Sequence, residues 1–117
     1  MDKWQAQYAF WSGFGIPAYE ENSVPTGAVL PYLTYQAADA PFNVDTPVTA
    51  SIWTESFSWE SADTLANTIL TALKDGGIVQ NYTGGMVWVT IDYVQAVGDP
   101  DNDKIKRKVL NCVLHFA

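Results

Sequence analysis

Residues 47–77, PVTASIWTESFSWESADTLANTILTALKDGG, decide the fold. Val48, Ala50 and Ile52 alternate with Trp53, Glu55 and Phe57, the period of a strand over residues 48–57. With almost no loop, Trp59-Glu60-Ser61 leads into the one strongly amphipathic helix of the chain. Its apolar stripe is Ala62, Leu65, Ala66, Ile69, Leu70 and Leu73. The hydroxyl of Ser58 or Ser61 can accept from the free amides of the first turn. Glu60 and Asp63 suit the positive end of the helix dipole. Lys74 and then Gly76 close the helix.

Strand-like segments lie on both sides of it. Residues 30–37 (LPYLTYQA), 78–82, 86–97 and about 104–116 read as strands. In residues 86–97, Val87, Val89, Ile91 and Tyr93 alternate with Trp88, Thr90, Asp92 and Val94. In the last, Leu110, Cys112, Leu114 and Phe116 face the core. At the start, residues 2–12 read as a helix with Trp4, Tyr8 and Trp11 on one face, stopped by Gly13, Gly15 and Pro17. Residues 20–28 and 38–47 read as loops, the second long enough to be a functional excursion or a mobile arm. The expectation is one α+β domain spanning residues 1–117. It has a mostly antiparallel mixed sheet, with the central amphipathic helix and the N-terminal helix packed on it.

Composition supports a folded domain. Of 117 residues, 48% are hydrophobic and 16% charged, enough apolar matter for a core without disulfides or metals. Cys112 is the sole cysteine, so no internal disulfide forms. MDKWQAQYAFW has neither the apolar core nor the cleavage pattern of a signal peptide. No apolar run approaches the roughly 20 residues of a membrane helix. The expectation is a soluble protein made in a cytoplasm, with no membrane partner.

The vocabulary of catalysis is sparse. No phosphate loop, dinucleotide fingerprint, nucleophile elbow or zinc spacing is present. His115, the only histidine, falls on the strand face opposite Cys112, which opposes a Cys-His dyad and leaves an ordinary strand histidine. Asp99, Asp101 and Asp103 alternate like the start of a calcium loop. Lys104 and Leu110, however, stand where such a loop needs Gly and Glu. No catalytic residue, cofactor or metal is expected. The competing class, a small ligand-binding or enzymatic α+β domain, requires a pocket around Trp53, Trp88 and Asp92.

Charge carries the remaining signal. The formal net charge is -7, yet Lys104, Lys106, Arg107 and Lys108 fall within five residues. The run reads as a solvated strand end, as a short nucleic-acid patch without interleaved aromatics, or as a contact for the acidic body of an identical neighbour. The last option fits head-to-tail subunits in a ring, where two different surfaces of one chain meet. On it, charge reversal at Lys106 and Lys108 is expected to weaken self-assembly more than folding.

Several short motifs then converge. Gly15-Ile16-Pro17 stops the aromatic helix, Pro31-Tyr32-Leu33-Thr34-Tyr35 opens the sheet, and Trp59-Glu60-Ser61 enters the central helix. A long strand, an acidic turn and a basic-to-apolar last strand close the chain. This layout resembles the tail-terminator and tail-completion (head–tail joining) proteins of long-tailed phages. The resemblance implies a structural, non-enzymatic virion protein in the tail or neck, assembled in the bacterial host cytoplasm. It implies a ring, hexameric in that family, on the head-proximal end of the tail tube. The partners would be further copies of the chain, the major tail tube protein and the head–tail connector. DNA would pass through the channel without specific binding, and a negative lumen would repel its phosphates. A connector or stopper of the neck is the alternative within the virion. Residues 38–47, with Phe42 and Asp45, and the hairpin carrying Asp99, Asp101, Asp103, Lys104, Lys106, Arg107 and Lys108 are the expected contact surfaces.

Overall fold

A computed structural model describes residues 1–41 and 43–117. Phe42, one of the expected contact residues, lies outside the described residues. Eight elements follow in order: α1 (Lys3–Ser12), β1 (Ala18–Glu20), β2 (Tyr32–Tyr35), β3 (Asp45–Glu55), α2 (Glu60–Leu73), β4 (Ile78–Tyr82), β5 (Gly85–Asp99) and β6 (Asn102–Phe116). The strands form one sheet in the order β1-β2-β3-β6-β5-β4. Neighbours are antiparallel except β1 and β2, which run parallel. The architecture is the α+β mixed sheet that the sequence implies.

The last strand is the spine. β6 inserts between β3 and β5, so Val48 sits beside Cys112 and Ala50 beside Leu110, while Val89 flanks Leu114 on the other side. These alternate residues are buried and form one core with Phe10 and Trp11 of α1 and Ala66, Ile69 and Leu73 of α2. Both helices therefore cover the same face of the sheet. Each fully buried aliphatic or aromatic side chain there contributes about 1.5–3 kcal/mol, which is why the period-2 and period-3.6 patterns specify the layers. Among the described residues, the opposite face of the sheet carries no helix.

Four local features depart from the sequence reading. In α1 the inward residues are Ala6, Gln7, Phe10 and Trp11, whereas Trp4 and Tyr8 remain 51% and 53% exposed. The expected Trp4-Tyr8-Trp11 face is thus corrected. A glutamine takes an inner position because its amide is fully used. Gln7 Nε2 donates to the Ala38 carbonyl at 2.8 Å, and its Oε1 accepts from the Ala38 amide at 2.9 Å. Asp2 and Gln5 close a reciprocal capping box at the helix start.

Second, residues 18–20 form a strand where the sequence suggested the approach to a loop, because Leu33 N bonds the Pro17 carbonyl at 2.8 Å and zips β1 onto β2. Third, Asp92 bulges out of β5, so Ile91 lies opposite Cys112 but Tyr93 lies opposite Asn111. The extra residue turns Tyr93 to the helix-free face, 55% exposed, and gives its core place to Val94. Fourth, α2 begins without a side-chain cap on its N-cap residue, Trp59. The Ser58 hydroxyl accepts only from Glu60 N, at 3.1 Å.

Residues 38–47, expected as a functional excursion or a mobile arm, are tied, with Gln36 beside them, to the body of the fold at several described positions, and from Asp45 onward they belong to β3. Gln7 grips Ala38, Lys3 pairs with Asp39, Gln36 Oε1 accepts from Thr49 N at 2.8 Å, and Asn43 N donates to the Phe116 carbonyl at 2.8 Å. At Gly77 close approach requires a glycine. Gly77 has φ +81, and any Cβ there would strike the Val89 carbonyl oxygen.

Candidate assembly surfaces

The basic run splits between the two faces of β6. Lys104, Lys106 and Lys108 point to the helix side, where aromatic residues of the β3–α2 passage meet them. The Lys104 ammonium lies 5.0 Å from the Phe57 ring centre, and those of Lys106 and Lys108 each lie 5.5 Å from the Trp59 ring. Cations over aromatic faces are held by the ring quadrupole. Lys106 is only 8% exposed, and its ammonium donates to the Asp103 carbonyl. Lys108 pairs with Asp63 of α2 at 2.7 Å. The Trp59 ring is thus the seat of two lysines, and only Lys104 of the three is exposed to a neighbour.

Arg107 points to the helix-free face. Its guanidinium stacks 4.7 Å over Trp53, the residue directly across the ladder, and its Nε donates to Ser51 Oγ at 3.0 Å. Trp53 Nε1 in turn donates to Thr34 Oγ1 at 2.9 Å. The result is a flat hydrogen-bonded patch across β2, β3 and β6.

Asp45, an expected contact residue, belongs to a second cluster on the same face. His115 Nδ1 and Asp45 Oδ1 lie 2.6 Å apart, and His115 Nε2 is 2.9 Å from Thr90 Oγ1. An ionised carboxylate only accepts, so Nδ1 carries a proton and donates to Asp45. Trp88 lies against the imidazole with ring centres 4.4 Å apart. The chain of contacts ties the first residue of β3 to β6 and β5. Sequence reasoning treated His115 as an ordinary strand residue, and only strand register brings Asp45 and Thr90 to it.

Asp99, Asp101 and Asp103 are exposed at the turn between β5 and β6. Asp99 Oδ1 accepts from the Asp101 amide at 2.8 Å, an ordinary turn bond. Among the described residues, no group of three His, Cys, Asp or Glu is placed to hold a metal.

Trp53 and Trp88 do not converge. Their ladder partners on β6 are Arg107 and His115, eight residues and thus roughly 27 Å apart along the strand. Asp92 lines a shallow hollow of about 190 Å³ with Gln36, Pro47, Thr49, Tyr93 and Asn111, between the two tryptophans. That is below the ~300 Å³ at which small-molecule sites begin. Beneath it, burial and then the nearby Asp92 charge push the Cys112 thiol up to about 12, so it stays protonated and unreactive.

No family model and no curated protein sequence matches the chain. Among solved structures, a chain from the virion of a native gene transfer agent particle superposes with a TM-score of 0.69. The match spans 97% of this chain and 90% of that one at 17% identity, a likeness of fold.

Proposed function

We propose that the protein is a structural component of a virion, a tail terminator that closes the head-proximal end of a tail tube as a ring, hexameric by family resemblance. The observation that carries the virion reading is the likeness to a gene transfer agent virion chain over nearly the full length of both chains. The tail-end position comes from the resemblance in layout: the Gly-Ile-Pro stop, the Pro-Tyr-Leu-Thr-Tyr strand, and the Trp-Glu-Ser entry into α2. The arrangement of the surface supports it. Among the described residues, one sheet face carries aromatic and polar clusters and no helix, while the core is closed on the other side. At about 3.4 Å per residue and 4.8 Å per strand, six strands present roughly 850 Å² on that face. A standard interface takes about 800 Å² from each partner.

On this reading the partners are other copies of the chain, the major tail tube protein and the head–tail connector. The net charge of -7 gives a lumen that repels DNA. The direct test is particle imaging of the purified protein alone and after mixing with assembled tail tubes. Rings seated at one tube end are expected. Binding to a portal or connector complex with no affinity for tube ends would replace this reading with the connector or stopper. Absence of binding to either would overturn both.

A further inference from the structure

The edges of the sheet are not equally protected. β1 is three residues long, follows Pro17 and carries Glu20, and β4 is five residues long. Shortness, proline and charge are the devices by which strand edges avoid pairing. β5 has fifteen residues, of which β4 covers only 85–89. Among the described residues no strand pairs with that side of β5 over residues 90–99. Between the bulge at Asp92 and the irregularity at Gly98/Asp99 runs Tyr93-Val94-Gln95-Ala96-Val97. It is free of charge and proline and rich in strand-forming residues. Tyr93 and Val97 are 55% and 41% exposed. Such an edge is a strand-addition site.

We infer that this edge pairs with the same stretch of a second copy of the chain, antiparallel, about a two-fold axis at Gln95. The sequence is self-complementary in that register. Tyr93 meets Val97 of the second copy twice, an aromatic–β-branched pair of the kind that stabilises ladders. Val94 meets Ala96, and Gln95 meets Gln95. Asp92 falls opposite Gly98 and Asp99 opposite Ile91, so no like charges oppose each other. The geometry also clears the fold. The second copy's strand ends at its Asp99, opposite Ile91, before the first β4 residue, Ile78, which sits beside Val89. Such an edge contact is isologous and closes on two copies. It is small, hence weak and concentration-dependent. The inference concerns the free chain and stands apart from the tail-end reading, which is judged by tube-end binding.

The test traps the axis. The Gln95→Cys protein, treated with a short bismaleimide or mild oxidant, is expected to give a covalent dimer at least tenfold faster than Thr26→Cys, whose residue lies in the exposed loop before β2. Wild type should give none, because Cys112 is buried. Adding Tyr93→Lys and Val97→Lys, both at exposed positions, should abolish the dimer while the melting temperature stays within a few degrees. If the doubly substituted chain melts early, Val97→Lys alone serves. Equal crosslinking of Gln95→Cys and Thr26→Cys overturns the inference, as does crosslinking that survives the lysines in a folded chain.

Discussion

At the scale of single residues, aromatic rings determine what the cations can do. Lys106 and Lys108 share the Trp59 face, so their charges are spent inside the chain. The sequence reading expected charge reversal there to damage assembly more than folding. The burial of Lys106 adds a folding cost to such a reversal. Lys106→Glu is expected to destabilise by about 1–3 kcal/mol, since a carboxylate would lose the ring and face the Asp103 carbonyl. Lys104→Glu, at an exposed site, should stay within about 0.5 kcal/mol; thermal melts of the two proteins distinguish them. Cys112 gives a second residue-scale outcome. Its thiol titrates at 9.0 when unperturbed and at about 12 in the fold. The folded chain therefore binds the proton more tightly, and the contribution to stability is complete below pH 9. It is lost as pH rises toward 12, at no more than about 1.4 kcal/mol per pH unit. At pH 8, a thiol reagent should leave the native protein unmodified and label it fully in denaturant. Rapid labelling of the native chain would show that the core around β6 opens.

At the scale of elements, period and partner compete. The patterns of α2, β3 and β6 are legible because each element has one apolar stripe and one layer to bury it in. Val48, Ala50 and Ile52, or Leu110, Cys112 and Leu114, admit no second register without exposing the whole set. The rotation of α1 is ambiguous in the sequence because the helix has more aromatic residues than its inner face can hold. Trp4, Tyr8, Phe10 and Trp11 offer two apolar faces, and the choice depends on Gln7 finding both polar groups of Ala38, thirty-one residues away. No local pattern encodes that. The Asp92 bulge and the short β1 were illegible for the same reason, since each exists only against its partner strand. The rotation of α1 has a sharp consequence. Phe10→Ala should cost about 3–5 kcal/mol, and Trp4→Ala and Tyr8→Ala less than about 1 kcal/mol each. Urea denaturation of the three proteins measures this, and a Trp4 cost equal to that of Phe10 would restore the original face. At the other end of the sheet, Gly77→Ala combines a positive φ with collision against Val89, and should cost well over 1 kcal/mol.

At the scale of the whole molecule, the question is which force brings copies together. The chain carries -7, so copies repel at long range, and salt relieves that repulsion within a Debye length of about 10 Å at 0.1 M. An assembly held by the basic strand meeting acidic surfaces would instead weaken with salt, since its attraction is screened by the same ions. The two mechanisms thus predict opposite signs. Lys106 and Lys108 are engaged by Trp59 and Arg107 by Trp53, and Lys104, over the exposed Phe57 ring, is the most exposed charge of the run. The helix-free face and the β5 edge offer Tyr93, Val97, Met86, Trp88 and Val79, all exposed and apolar. Association should therefore strengthen as salt rises from about 20 mM to about 0.5 M, with the weight-average mass in sedimentation increasing at fixed protein concentration. A mass that falls over the same range would return the basic strand to the centre of the interface and remove the apolar face from it.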